Sequence, residues 1–157
     1  MIKVLFVCLG NICRSPMAEA MFRHLVKREG LEDKMVVDSA GTGNWHVGEP
    51  PHKGTREILK KYEINGEGLK ARQITAADLH EFDYVIAMDR TNENDIKQLA
   101  KAHPKAYIGR LLDFSKNSQL KDVPDPYFTG NFEEVYELLK ESCEMLLQYI
   151  KKENKLN

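Results

Sequence analysis

The chain has 157 residues, of which 42% are hydrophobic and 30% are charged, a composition typical of one soluble globular domain with a single core. Lysine and arginine number 23 against 24 aspartates and glutamates, which gives a formal net charge of -1. No global positive field therefore favours nucleic acid or a membrane surface as the partner, and any anion site must be local.

Three cysteines, Cys8, Cys13 and Cys143, make an odd count that is not typical of a disulfide framework. The apolar run near the N-terminus is too short to span a membrane, is closed by Arg14, and is not followed by a small-residue cleavage site. We therefore expect a cytoplasmic protein without a membrane partner, and secretion without a classical signal stays open.

Apolar runs and helical spacings alternate along the chain. In chain order they predict a strand over residues 2–7, a helix over 15–26, a strand over 35–40, a helix over 54–62, a helix over 76–82 with Thr75 and Asp78 resembling its N-cap, a strand over 84–88, a helix over 92–100, a strand over 105–112 and a helix over 132–150. This alternation predicts a single α/β domain over residues 1–157, with a central parallel sheet of about four strands and helices on both faces.

Three further stretches have no such pattern. Residues 41–52 and 115–130 are long irregular segments, which in a compact domain are often functional loops. The charged tail, residues 151–157, is expected to be frayed.

The segment between the first strand and the first helix has the residue types of an anion cradle. Backbone N–H groups of such a loop can turn inward, with the positive end of the helix dipole behind them. Gly10 and Asn11 tolerate the positive φ angles that this curl needs, and Arg14 offers a planar fork for two phosphate oxygens. The dipole, Arg14 and the Ser15 hydroxyl all favour the thiolate form of Cys8, which is then a candidate nucleophile.

The motif in this loop, in the form CLGNICRSPMAEA, resembles the N-terminus of the low-molecular-weight protein tyrosine phosphatase family. The stretches DSAGTGNWHVGEPP, ARQIT, AMDRTN and VPDPYFTGNFEEVYELL resemble the same family in the expected order, so the resemblance covers residues 1–150. It implies a hydrolase that needs neither metal nor cofactor and acts on phosphotyrosine in proteins and on small aryl phosphates. It also implies a phosphocysteine intermediate, and phosphate or other oxyanions as ligands of the loop.

The resemblance assigns the catalytic roles to three residues. Cys8 is the nucleophile, Arg14 stabilises the transition state together with the loop N–H groups, and Asp125 is first the general acid and then the general base. By residue type alone, Asp89 and Asp122 are also candidates for the role of general acid and base that the resemblance assigns to Asp125. The implied phosphate-binding loop consists of Leu9, Gly10, Asn11, Ile12, Cys13, Arg14 and Ser15.

Asn11, Ser15 and Ser39 correspond to the residues that brace this loop in the family, although ordinary capping is an open alternative for Ser39. Many relatives have a histidine just before the Ala-Arg-Gln stretch, where this chain has Leu69. The outer part of the hydrogen-bond network that braces the loop is therefore left open. Cys13 resembles a second loop cysteine that forms a reversible, protective disulfide with the nucleophile. Simple packing is the alternative for Cys13.

Five residues resemble the family's substrate pocket, where flat rings enclose a phenyl group: Leu9, Ile12, Trp45, Tyr127 and Phe128. For Trp45, packing in the core is the alternative. Some relatives that act on phosphoarginine carry threonine in place of Ile12, which favours phosphotyrosine here.

Two other classes of protein are alternatives to the phosphatase that the resemblance implies. A thiol redox enzyme like the arsenate reductases needs further cysteines between Cys13 and Cys143, and none is present. A noncatalytic phosphate-binding module would keep Arg14 but has no need of Cys8 and Asp125. The histidines and cysteines show no metal-ligand spacing, so no metal is expected. The resemblance leaves a monomer or weak self-association open.

Overall fold

Strands and helices alternate through the computed structural model of the protein, which describes residues 1–100, 104–116 and 119–156. In chain order they are β1 (Ile2–Cys8), α1 (Arg14–Arg28), β2 (Met35–Gly41), α2 (Lys53–Lys61), α3 (Asp78–Glu81), β3 (Tyr84–Ala87), α4 (Arg90–Leu99), β4 (Tyr107–Arg110), a 3-10 helix (Leu111–Phe114), α5 (Pro126–Thr129) and α6 (Phe132–Glu153). The predicted single α/β domain is confirmed. Residues 117 and 118 of the predicted loop and residue 157 of the predicted tail lie outside the described residues.

The four strands form one parallel sheet in the order β2-β1-β3-β4. β1 is paired on both sides, with β2 from Ile2 to Cys8 and with β3 from Val4 to Val7. The chain therefore moves from β1 to one side of the sheet and later crosses to the other side. Ligands of open parallel sheets bind outside the carboxyl ends of the strands at such a switch point. Cys8, the last residue of β1, lies at this point.

The interior of the sheet is buried on both faces, which explains why β1 has an unbroken apolar run. Val4 and Phe6 pack in one cluster with α1 and α6, while Leu5 and Val7 pack in a second cluster with residues of α3 and α4. Helices therefore cover both faces, as predicted. Within the described ranges, no helix has both the length and the apolar character needed to cross a membrane.

The predicted helix over residues 76–82 is wrong in extent, because the α-helix is a single turn. Thr75 and Asp78 do form a reciprocal pair, in which the Thr75 N–H donates to Asp78 Oδ2 at 2.7 Å and the Asp78 N–H donates to Thr75 Oγ1 at 3.3 Å. The backbone then becomes extended at Phe82, whose ring is buried beside β3. Burial of this ring ends the helix early.

Two other boundaries also differ from prediction. β4 ends at Arg110, because Leu111 and Leu112 turn into the 3-10 helix and pack in the core. α6 continues to Glu153, so residues 151–153 are helical rather than a frayed tail. Lys151 is ion-paired with Glu29, and this contact fixes the last turn of α6 against the end of α1.

Leu139 is completely buried in α6, within the cluster that contains Phe6. Replacing it with alanine leaves a cavity, and we expect Leu139→Ala to lower the free energy of unfolding by about 2–5 kcal/mol in urea denaturation. The exposed Lys152 of the same helix is the control, and Lys152→Ala should change stability by less than about 0.5 kcal/mol. Equal effects of the two substitutions would contradict the packing described here.

Candidate active site

Residues 9–13 form the loop between β1 and α1, and its carbonyl groups are bonded on the outer side. The Cys8 and Leu9 carbonyls accept hydrogen bonds from the N–H groups of residues 42 and 43 at 2.9 Å each, and the Ile12 carbonyl accepts one from residue 52 at 2.7 Å. Because C=O and N–H point in opposite directions across a trans peptide, the N–H groups that follow these carbonyls point away from residues 42, 43 and 52. The loop therefore has the form of the predicted anion cradle.

Gly10 and Asn11, the two residues whose types tolerate a positive φ, differ in their backbone conformation. Asn11 has φ of 55°, whereas Gly10 is not among the positive-φ residues. Gly10 is needed for space instead. A Cβ at this position would lie 3.1 Å from Cδ2 of His46, whose ring packs directly on the loop.

The Asn11 side chain connects the loop to its surroundings. Its Oδ1 accepts a hydrogen bond from the Arg72 N–H at 2.9 Å, and its Nδ2 donates to Ser15 Oγ at 2.8 Å and to Ser39 Oγ at 2.9 Å. The structure thus brings together the three residues that the resemblance implied as bracing. The Ser39 hydroxyl also donates to Glu19 Oε1 at 2.6 Å.

Glu19 was not identified from the sequence, where it is one of many charged helical residues. It is buried, and burial raises its pKa, while the hydrogen bond from Ser39 and the nearby Arg23 act in the opposite direction. Leu69, at the position of the family's histidine, is buried in the main apolar cluster. Its side chain packs and offers no hydrogen bond to this network.

The Cys8 thiol lies 3.0 Å from the Ser15 hydroxyl oxygen and is almost fully buried at the floor of a cavity. Ser15 Oγ already accepts a hydrogen bond from Asn11, so the Ser15 hydrogen is available for donation to the Cys8 sulfur. Asn11 and Ser15 therefore place a donor beside the sulfur.

Arg14 is only 2% exposed and binds two carboxylates. Nη1 donates to Asp89 Oδ2 at 2.7 Å and to the Val123 carbonyl at 3.0 Å, and Nη2 donates to Asp125 Oδ2 at 3.3 Å. Nε is buried and has no partner within the described part of the chain. Burial lowers the pKa of Arg14, but Cys8 and the two carboxylates outweigh it and raise the pKa overall, so the guanidinium stays charged.

The three candidate aspartates occupy different places. Asp125 caps α5, where its Oδ1 accepts a hydrogen bond from the Tyr127 N–H at 3.1 Å, and it lines the cavity. Asp89 caps α4 and holds Arg14 from the side away from the cavity lining. Asp122 lies outside this lining, and its Oδ1 accepts hydrogen bonds from the Arg90 N–H and the Arg110 guanidinium at 3.0 Å each.

The cavity above Cys8 has a volume of about 410 Å³. Trp45, Tyr127 and Phe128 form its outer walls and are 67%, 53% and 76% exposed, so the alternative of core packing for Trp45 was wrong. Its lining comprises Cys8, Leu9, Gly10, Ile12, Cys13, Arg14, Trp45, His46, Asp125, Tyr127 and Phe128. His46 was not predicted, and its position directly after Trp45 is the signal that was available.

The chain matches a known family over almost its whole length. Residues 3–156 fit the family described as low molecular weight phosphotyrosine protein phosphatase. The chain is 56% identical over 156 residues to the low molecular weight protein-tyrosine-phosphatase YfkJ of Bacillus subtilis, and the match covers 99% of this chain and 100% of YfkJ. The crystal structure of YfkJ aligns with a TM-score of 0.95 and 57% identity, covering 98% of this chain and 96% of YfkJ.

Two more distant crystal structures are also similar. A protein tyrosine phosphatase from Entamoeba histolytica, with Hepes in its active site, aligns with a TM-score of 0.90 at 35% identity and covers 99% of this chain and 100% of that one. DARP, the drosophila arginine phosphatase, aligns with a TM-score of 0.88 at 38% identity and covers 96% and 98%. The chain belongs to the low-molecular-weight phosphotyrosine protein phosphatase family, a family of hydrolases whose general mechanism passes through a phosphocysteine.

Cys13 and Cys143 should resist alkylation at neutral pH in the folded protein. Burial, with a smaller contribution from Cys8, raises the pKa of Cys13 to about 12, and burial also raises the pKa of Cys143. A thiol with a raised pKa stays protonated at neutral pH, and the thiol is not the nucleophile. We therefore expect iodoacetamide at about pH 7 to leave Cys13 and Cys143 unmodified until urea unfolds the chain, as measured by mass spectrometry of peptides. Rapid labelling of Cys13 in the folded protein would contradict this expectation.

Proposed function

We propose that this chain hydrolyses phosphotyrosine in proteins, and small aryl phosphates, through a phosphocysteine formed on Cys8 and without a metal. The observation that carries the proposal is the convergence of the Cys8 sulfur, the Arg14 guanidinium and the Asp125 carboxylate on one aromatic-walled cavity. This arrangement combines a nucleophile, an anion-binding group and a proton donor.

In the first step, the Cys8 thiolate attacks phosphorus and the ester P–O bond breaks as the P–S bond forms. The N–H groups of the loop and Arg14 bind the equatorial phosphoryl oxygens, which need this neutralisation in the transition state. Asp125, as the carboxylic acid, donates its proton to the phenolic oxygen, so that a neutral phenol leaves.

In the second step, Asp125 is a carboxylate and takes a proton from a water molecule that attacks phosphorus. The P–S bond breaks, inorganic phosphate forms, and the electron pair returns to Cys8 as a thiolate. The Ser15 hydroxyl, 3.0 Å from the sulfur, stabilises this leaving thiolate by donating a hydrogen bond.

The walls of the cavity support an aryl phosphate as substrate. Trp45 and Tyr127 present flat rings on which a phenyl group can pack, and Leu9 and Ile12 add apolar contacts in the cavity lining. The Trp45 ring lies close over Gly43, where a Cβ would be 1.9 Å from the ring, so any side chain at Gly43 would displace this wall. As in the family's pocket, the depth set by these rings is expected to favour the longer phosphotyrosine side chain over phosphoserine.

A phosphoarginine substrate is the second candidate, because DARP, an arginine phosphatase by name, shares this fold at 38% identity. Ile12 in the cavity lining supports phosphotyrosine instead, since an apolar side chain offers the guanidinium of phosphoarginine no hydrogen-bond acceptor. The two substrates are distinguished in the assay described below.

Further parts of the proposal concern regulation and cellular context. Cys13 is proposed to form a reversible disulfide with Cys8 under oxidation, and its support is that both are free thiols lining one cavity.

We place the enzyme in the cytoplasm as a monomer or weak self-associating species, without nucleic-acid or membrane partners. The net charge of -1 and the local nature of the anion site support the expected lack of nucleic-acid and membrane partners.

The proposal predicts phosphate release from matched peptides in the presence of a metal chelator. Phosphotyrosine should be turned over in preference to phosphoserine and phosphoarginine. Cys8→Ser should abolish turnover, and Asp125→Ala should lower kcat about 10²- to 10⁴-fold, because it removes the general acid and base.

Asp122→Ala is the matched control, since Asp122 precedes the same short helix but lies outside the cavity lining. It should retain nearly full kcat. Turnover that survives Cys8→Ser would rule out the covalent route, and preferred turnover of phosphoarginine would replace the substrate assignment.

A further inference from the structure

The hydrogen-bond donors of Arg14 are divided between two directions. On one side, Nη1 is used by Asp89 and by the carbonyl of Val123. On the other side, Nε is buried without a partner and Nη2 donates to Asp125. Nε and Nη2 form one edge of the guanidinium plane, which is the geometry that binds two oxygens of a phosphate or carboxylate.

Asp125 therefore occupies half of the edge that an oxyanion needs. Its Oδ2 lies 3.3 Å from Nη2, where a phosphate oxygen would otherwise accept the hydrogen bond. The other half of the edge, Nε, has no partner in the described residues. A buried donor without an acceptor is costly, and a ligand oxygen would satisfy it.

We propose that Asp125 is an internal competitor for the phosphate-binding edge of Arg14, and that an oxyanion which displaces it causes Asp125 to take up a proton. This inference rests on the proposed function, because it uses the roles assigned there to Arg14 and Asp125. It adds that binding of the phosphoryl group itself converts Asp125 into the acid that the first step requires.

The proton uptake follows from the change in surroundings. In the free site the Asp125 carboxylate is ion-paired with the charged Arg14. After displacement Asp125 loses this contact and faces a dianion in a partly buried cavity, and both changes favour the neutral acid. The hydrogen bond from the Tyr127 N–H to Oδ1 is separate from Arg14 and keeps the group on the cavity wall.

The proton balance of this step is simple. The dianion replaces the Asp125 carboxylate at Arg14, and one proton from solvent binds to the displaced carboxylate. By linkage, oxyanion affinity must then rise as the pH falls. Other titratable groups face the same space, namely Cys8, Cys13 and His46 in the cavity and Asp89 behind Arg14, so the test must remove Asp125 alone.

Asp89 provides a matched comparison. Its side chain and that of Asp125 are both 22% exposed, and both are ion-paired with Arg14. Asp89 binds Nη1, which is not part of the edge formed by Nε and Nη2. If these carboxylates opposed anion binding only through their charge, removing either one would strengthen binding to a similar degree. Competition for one edge predicts that only the removal of Asp125 does so.

Sulfate is the probe, because it remains a dianion over the working pH range and brings no titrating proton. Trp45, the chain's one tryptophan, lines the cavity and reports binding by its fluorescence. Calorimetry in two buffers of different ionisation enthalpy then counts the protons taken up. For the parent chain we expect sulfate binding to weaken as the pH rises, with uptake of up to one proton.

Asp125→Asn should bind sulfate about three- to tenfold more tightly than the parent near neutral pH, with most of the proton uptake lost. Asp125→Ala should behave likewise and covers a case in which the asparagine variant fails to fold. Asp89→Asn should bind no more tightly than the parent, and Asp122→Asn should match it.

Equal or weaker sulfate binding by both Asp125 variants, with proton uptake unchanged, would overturn the inference. Equal strengthening by Asp125→Asn and Asp89→Asn would also overturn it in favour of a simple charge effect. The peptide assay is independent of these measurements: an inactive parent chain would refute the proposed function, while the sulfate data alone decide the competition at Arg14.

Discussion

The side chain of Asn11 is the contact on which the rest of the site depends. Its backbone has φ of 55°, which curls the loop after β1, and its amide joins Arg72, Ser15 and Ser39. The N–H of Arg72 can only donate, so it fixes Oδ1 on that side and directs Nδ2 toward the two hydroxyl groups. One amide therefore holds the curl of the loop, its attachment to β2, and the direction of the hydrogen bond beside Cys8.

Arg14 is the second residue on which the site depends, and it follows the loop at the start of α1. It is buried, and a buried cation is tolerated only when it is paired. Asp89 and Asp125 supply this pairing from the start of α4 and the start of α5, two segments far from α1 in sequence. The same pairing thus solves a folding problem and positions the proposed acid next to the proposed anion site.

The features predicted correctly from the sequence are those that depend on neighbouring residues. The apolar run of β1, the loop and the start of α1 follow one another, and their order alone indicates an anion cradle between the first strand and the first helix. Gly10 shows the limit, because a glycine is equally compatible with a positive φ and with close packing, and the packing partner His46 lies 36 positions away in the chain. The end of helix α3 was missed for a similar reason, since burial of Phe82 is a tertiary effect.

The bracing around the site was predicted only where the family resemblance supplied it. Arg14 and Asp89 are 75 positions apart, and Asn11 and Arg72 are 61 apart. No periodicity or spacing marks such pairs, so Asp89 was considered only by its residue type and Glu19 was not considered. These residues become recognisable when the fold places a buried polar group beside them.

Direct detection of the intermediate tests the central claim, that the cradle activates Cys8 as a nucleophile toward phosphorus. The measurement is acid quenching of the protein during turnover of an aryl phosphate, followed by mass spectrometry of the peptide that contains Cys8 and Cys13. The account predicts one added phosphoryl group on Cys8, absent in Cys8→Ser and absent without substrate. Turnover at full rate with no phosphate on Cys8 at any quench time, or with the phosphate on another residue, would contradict it.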